Sequence, residues 1–227
     1  MLRLVPTPTQ LPTVAGIDVS YYQETIDWPA VAASGIRYAF LKATEGASLV
    51  DRAFVKNRAN TAQAGVFCGA YHFFTPDCSA AAQANLFLRT VGKLDPGELP
   101  PVLDLEAPNL WTNIPPPQRI RIITEWLEPV EDALGTKPII YLSPSFAMEI
   151  LKNDPALARH PVWLAHYTQA AAPRIPEPWI SWTFWQHTQG GHMPGISTPV
   201  DLNWFNGSLD DLQALTVPTA PVPAAAS

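Results

Sequence analysis

From residue 14 to residue 205 the sequence alternates short apolar runs with segments of helical period, the pattern that most restricts what this chain can fold into. Eight runs read as strands: 14–20, 36–43, 66–74, 101–106, 138–143, 161–167, 182–188 and 200–205. They are rich in Val, Ile and aromatic residues and are bounded by Gly or Pro. Helical segments follow the first five strands, at 28–34, 51–64, 79–91, 117–134 and 144–152. The clearest is "PPPQRIRIITEWLEPVEDALG", with Pro near its start, apolar residues at helical spacing and Gly135 at its end. Pro129 is expected to kink it. The last three strands are separated by loops, including the Pro-rich 172–181. Eight strands with this alternation predict an α/β, TIM-like barrel with about five helices, (β/α)5(β)3. The alternative is an open doubly wound sheet, but no GxGxxG follows the first strand.

The barrel is assigned to 14–215 as one catalytic domain, a size that α/β barrels often reach undivided. Residues 1–13 read as an extended Pro/Thr-rich leader, and 216–227 as a Pro/Ala-rich tail. Hydrophobic residues are 47% of the chain and charged residues only 15%, which favours a sizeable core. A net charge of -6 argues against nucleic acid or an anionic surface as a partner held by bulk charge. No run approaches the ~18 apolar residues of a membrane helix, so no membrane insertion is expected. Nor does the N-terminus show a basic region followed by an apolar one, as a general secretory signal would.

Cys68 starts one strand and Cys78 lies beyond its end. Six extended residues span about 20 Å, against the ~7 Å limit between Cα atoms for a disulfide, so two free thiols are expected. No CxxC or HExxH pair points to a metal, and no cofactor is called for.

The stretch "PPVLDLEAPNLW" (100–111) carries the chemistry. Burying charge in an apolar strand is costly unless the charge is paired or used. Asp104 and Glu106 are two apart and so share a face with Val102, while Leu103 and Leu105 take the other. With the leucines against helices, both acids point into the barrel mouth. Asp18 ends the first strand in "GIDVS" and Asp201 opens the last in "VDLN". First and last strands are neighbours in a closed barrel, so four carboxylates converge at the end where barrel active sites sit. Asp27 and Asp51 read instead as helix caps, before "WPAV" and "RAFV". Paired acids suit glycoside cleavage, which needs a proton for a poor leaving group and negative charge beside a developing cation. Like charges close together, and partial burial, keep one acid protonated. Cα atoms two apart on a strand lie roughly 6.5–7 Å from each other. That spacing straddles the retaining and inverting geometries and does not choose between them.

The ordered series "GIDVSYYQ", "FLKATEG", "GAYHFF", "PPVLDLE", "IIYLSPSF", "VWLAHY", "WTFWQHT" and "VDLNWF" resembles the family 25 glycoside hydrolases, the Chalaropsis-type lysozymes or N-acetylmuramidases. It spans about residues 15–215. The resemblance implies a peptidoglycan hydrolase that cleaves the β-1,4 bond between N-acetylmuramic acid and N-acetylglucosamine. By the family motif, Glu106 is the general acid/base, Asp104 its partner near the acetamido group, and Asp18 and Asp201 complete an acidic floor. Tyr71, Tyr141, Trp163, Tyr167 and Gln186 lie on motif strands near the mouth and are assigned to substrate positioning. His166 in "VWLAHY" is expected to be a surface residue facing a loop. The resemblance also implies retention through participation of the substrate's acetamido group.

Two rivals remain open at this point. One is a chitinase-like acetamido-sugar glycosidase, whose longer series of acids is here replaced upstream by Pro100 and Pro101. The other is a non-catalytic wall-binding domain on the same fold, which both acids argue against. Action on the bacterial cell wall, in the periplasm or outside the cell, by a monomer is the expectation. With no general signal and no appended wall-binding module in view, a phage endolysin released by a holin and an injected bacterial toxin both fit. The second would imply an immunity protein.

Overall fold

The computed structural model describes residues 13–218. Nine strands form one sheet: β1 (Thr13–Val19), β2 (Tyr38–Glu45), β3 (Leu49–Val50), β4 (Phe67–Phe73), β5 (Val102–Asp104), β6 (Ile139–Leu142), β7 (Val162–Ala165), β8 (Phe184–Met193) and β9 (Ile196–Asn206). The order is β1-β9-β8-β7-β6-β5-β4-β2-β3, and a β1–β2 pairing closes the ring. β3 is a two-residue flap on the end of β2, which leaves eight strands in the barrel. The TIM-like barrel expected from the alternation is therefore the fold found.

Each of the first five barrel strands is followed by a helical segment: α1 (Trp28–Ala33), α2 (Phe54–Gln63), α3 (Ala80–Val91), α4 (Pro116–Leu134) and a π-helical turn over Phe146–Ile150. The helix expected over 144–152 is thus this short π turn. α4 runs unbroken through Pro129 and stops at Gly135, whose φ of 68° is favoured by glycine. A further helix, α5 (Leu209–Ala214), was not expected. It is started by a capping box in which Ser208 and Asp211 satisfy each other's backbone N–H groups.

One departure concerns the last two strands. They are not separate short runs but the arms of a long hairpin turning at Pro194–Gly195, with Gly195 at φ 92°. A turn this tight permits only antiparallel pairing, because a parallel return needs a crossover of a dozen or more residues. β9 therefore runs antiparallel to both β8 and β1, while the other barrel neighbours are parallel.

Alternation along the strands divides the core in two. Ile17, Leu41, Leu103, Ile140, Val162 and Leu164 point outward against the helices. Tyr38, Phe40, Val102, Ile139, Trp163, Phe184 and Phe205 fill the barrel itself. The interior is crowded enough to need small residues opposite rings. A Cβ on Gly69 would lie 2.8 Å from the Phe40 ring, and one on Gly16 would collide with the Tyr38 ring. This plug closes the lower barrel and leaves the ionisable carboxylates at the mouth.

Thr13, expected at the end of the leader, is the first residue of β1. Val217 exchanges backbone hydrogen bonds with Gly97 and Glu98. Residues 1–12 and 219–227, the remainder of the expected leader and tail, lie outside the described residues. Both cysteines are free thiols, Cys68 buried and Cys78 half-buried.

Candidate active site

A cleft of about 300 Å³ opens at the end of the barrel where the parallel strands finish. All nine residues singled out from the sequence line it: Asp18, Tyr71, Asp104, Glu106, Tyr141, Trp163, Tyr167, Gln186 and Asp201.

β5 explains how the acid pair is presented. Its ladder pairs Asp104 with Phe73 on one side and with Tyr141 on the other. The strand ends there, two residues sooner than expected, so Glu106 is not a strand residue. The alternation survives because the Leu105 N–H still donates to the Tyr141 carbonyl at 2.9 Å. Leu103 and Leu105 are buried in the outer layer, as the pattern requires. Ala107 then takes a left-handed φ of 52° and turns the chain into a short 3-10 helix, Pro108–Trp111. The Trp111 indole N–H holds the Glu106 carbonyl at 3.1 Å. Glu106 is consequently fixed at its backbone while its side chain reaches solvent in the cleft.

Asp104 is only 5% exposed, and its Oδ1 has no hydrogen-bond partner among the described residues. Burial pushes its carboxyl well above the ordinary carboxylate range, the Glu106 charge adds to this, and Lys42 partly offsets it. Glu106 is raised as well, first by the protein crowding it on the cleft side, with Lys42 among the groups opposing. The two carboxyls line one cleft and each shifts the other's titration, so that the pair holds a proton above the ordinary carboxylate range. Burial favours that proton on Asp104, the more enclosed of the two.

A second pair of acids lies across the cleft. Asp18 on β1 sits directly opposite Asp201 on β9. Burial raises Asp18 well above its usual range, and the Asp201 charge raises it further. Asp201 is raised by burial too. Asp18 Oδ2 accepts from Gln186 Nε2 at 2.9 Å and from Asn203 Nδ2 at 2.8 Å. Those amides are themselves oriented. Gln186 Oε1 accepts from the Tyr141 and Tyr167 hydroxyls at 2.9 and 2.7 Å, and Asn203 Oδ1 accepts from the Trp163 indole at 2.8 Å. Both amides in these relays are held at their oxygen and their nitrogen, which makes this side of the cleft stiff.

Some residues differ from expectation. Asp27 does cap α1, accepting from the Ala30 N–H at 3.2 Å. Asp51 does not cap a helix directly, since α2 begins only at Phe54. It is 2% exposed, and its two oxygens take the Ala53 and Tyr21 N–H groups at 2.8 and 3.0 Å. It thereby ties the loop after β1 to the loop after β2 at the rim. His166 is half-buried outside the cleft, where its Nδ1 accepts from the Arg174 N–H at 3.0 Å. Sequence reasoning missed Asn203 and Lys42 as site residues. Asn203 stands two after Asp201 and so shares its face. Lys42 is a charge at the end of an apolar strand, the same signal that revealed the acids. Among the described residues it is the one Lys or Arg lining the cleft. No group of three His, Cys, Asp or Glu among the described residues is arranged to hold a metal ion.

The model of glycosyl hydrolases family 25 matches residues 17–196. The chain belongs to this family. Its relatives include the uncharacterized protein YegX of Escherichia coli K12, 42% identical over 89% of this chain and 73% of YegX. Lysozyme M1 of Streptomyces globisporus is 34% identical over 94% of this chain and 74% of its own. The crystal structure of the bacterial lysozyme from Streptomyces coelicolor superimposes with a TM-score of 0.85 at 35% identity, covering 89% of this chain and 96% of that one. This family 25 protein is thus a glycoside hydrolase of the lysozyme and muramidase kind, with peptidoglycan as its substrate. Work on the cell wall is done in the periplasm or outside the cell. No helix among the described residues is long and apolar enough to cross a membrane.

Proposed function

We propose that this enzyme is an N-acetylmuramidase cleaving the β-1,4 bond between N-acetylmuramic acid and N-acetylglucosamine, with Glu106 as general acid/base and Asp104 as its partner. The observation that carries the reading is Asp104 Oδ1, a buried carboxylate oxygen in the cleft without a partner, beside an acid that reaches solvent. An orphaned buried acceptor is costly unless something else satisfies it. The acetamido N–H of the muramic unit fits that need. Accepting this hydrogen bond favours ionised Asp104, so the pair's proton moves to Glu106, where the leaving oxygen requires it.

Glu106 donates that proton to the glycosidic oxygen as the bond to the anomeric carbon breaks. The acetamido carbonyl oxygen attacks the same carbon and forms a cyclic oxazolinium ion. Ionised Asp104 holds its N–H and offsets its positive charge. Glu106, now a carboxylate, takes a proton from water, and the resulting hydroxide equivalent opens the ring with net retention. Asp18 and Asp201 add negative potential under the developing cation. Tyr71, Tyr141, Trp163, Tyr167 and Gln186 shape and orient the sugar.

Purified peptidoglycan and chitin oligomers digested side by side test the reading. New reducing ends on N-acetylmuramic acid, with chitin cleaved much more slowly, are expected. Faster chitin cleavage would make the enzyme a chitinase-like glycosidase. Binding to walls without released reducing ends would leave a wall-binding domain.

A further inference from the structure

Residues 42 and 45 of an unbroken strand would face opposite sides. In β2 they meet on one side, because the ladder with β4 shifts register between Lys42 and Thr44. This bulge leaves Ala43 as the extra residue and returns Glu45 toward the cleft. Lys42 Nζ then binds Glu45 Oε2 at 2.6 Å and lies 5.0 Å from the centre of the Phe73 ring. The lysine side chain is 10% exposed and that of Glu45 is 36% exposed.

The bulge is pinned from behind. Thr44 Oγ1 hydrogen-bonds His72 Nδ1 at 2.7 Å, and His72 Nε2 meets Gln83 Oε1 at 3.0 Å. Gln83 Oε1 also accepts the Thr75 N–H at 3.0 Å, and Gln83 Nε2 donates to the Thr75 carbonyl at 2.8 Å. An oxygen that already accepts from a backbone N–H takes the Nε2 proton of the imidazole, leaving Nδ1 to accept from Thr44. His72 is therefore neutral, and burial holds it down at about 4.

We propose that Lys42 and Glu45 form a tethered charge pair that sets the protonation of Asp104 and Glu106, with Lys42 as the positioning residue and Glu45 as the anchor that offsets its charge. The inference rests on the muramidase reading above. Lys42 opposes the upward push that burial exerts on both acids. Without it, Asp104 and Glu106 would remain protonated to higher pH, and Asp104 would ionise less readily when the acetamido group arrives. The other titratable groups lining the cleft are Asp18 from β1, Tyr22 just beyond β1, Tyr71 from β4, Tyr141 from β6, Tyr167 beyond β7 and Asp201 from β9. Tyr71, Tyr141 and Tyr167 are pushed up, out of the working range, and His72 titrates below it. The limbs of the activity profile therefore belong to the acids.

The test is the pH profile of kcat/KM on a peptidoglycan oligomer for Lys42→Met, Lys42→Arg, Glu45→Gln and the Lys42→Met/Glu45→Gln double variant. Lys42→Met removes a positive charge, so both limbs move to higher pH, on the order of one unit. Glu45→Gln removes the offsetting negative charge, so both limbs move lower, and by less because Glu45 is partly in solvent. Lys42→Arg restores the wild-type limbs, and the double variant returns toward them. A purely structural role would lower kcat and the unfolding temperature with the limbs unmoved. Limbs that stay put, or move the same way in both single variants, overturn the inference. Should Lys42→Met turn over too slowly, carboxyl-carbon NMR titration of the folded variants reads the same opposite displacements, and their absence is equally decisive. Glu106→Gln serves as the control: if it is active the muramidase reading fails, whereas an inactive control with unmoved limbs defeats this inference alone.

Discussion

Glu106→Gln is expected to abolish hydrolysis while leaving the fold intact. Glutamine keeps the shape of the side chain but has no proton for the glycosidic oxygen, a very poor leaving group unless protonated. General acid catalysis is worth ~10²–10⁴-fold, and a poor leaving group puts the loss at the upper end or beyond. The backbone contacts that hold residue 106, through the Leu105 N–H and the Trp111 indole, do not involve its carboxyl. Thermal unfolding should therefore be little changed. Turbidity clearing of purified walls and a melting curve on the same sample check both halves. Activity close to wild type at unchanged stability would remove Glu106 from the mechanism.

Asp104→Asn should lose activity by a further mechanism, on the order of 10²–10³-fold, the typical cost of deleting one preorganised electrostatic contact to a developing charge. Two signatures separate it from the Glu106 variant. In the substrate complex Asp104 is the ionised partner, so asparagine removes a neighbouring negative charge, Glu106 releases its proton more easily, and the alkaline limb of the residual kcat moves to lower pH. Stability should change in the opposite sense from activity. Asp104 is raised in the folded protein, so the folded state binds its proton more tightly than the unfolded chain does. From the ordinary carboxylate range upward, stability is lost as pH rises toward the raised value, and above it the buried charge is a cost that Lys42 only partly offsets. Asparagine removes that cost at neutral and alkaline pH. Each 1 kcal/mol recovered lifts the unfolding midpoint by roughly 2–4 °C for a chain of this size. Melting curves at pH 5 and pH 8 should show the variant gaining more on wild type at the higher pH.

The barrel was legible because its first strands are short apolar runs cut by Gly and Pro, with helices of clear period between them. The acid pair was legible because two carboxylates in an apolar run have few physical excuses. What escaped the sequence has equally specific causes. The β8–β9 hairpin carries register shifts between Gln186 and Thr188, between Thr188 and Gly191, and between Gly191 and Met193. Each shift breaks the two-residue alternation on which strand recognition depends. Glu106 stands beyond the end of β5 because Ala107 turns left-handed, and an alanine gives no advance notice of that conformation. The Lys42–Glu45 contact depends on a bulge in the β2–β4 ladder, pinned by the Thr44–His72 bond, that alternation along the sequence does not announce. α5 was the avoidable omission, since Ser208 and Asp211 spell out its capping box.

If Glu106 and Asp104 act on a glycosidic bond with the substrate's own acetamido group as nucleophile, the stereochemistry at the reacting carbon shows it. In time-resolved NMR of a short peptidoglycan oligomer, the first product is expected to carry a muramic reducing end in the β configuration, and replacing the muramic 2-acetamido group by hydroxyl is expected nearly to stop cleavage. An α anomer appearing first would contradict it, and would leave a cleft carboxylate, Asp104 or Asp201, as the base for direct attack by water.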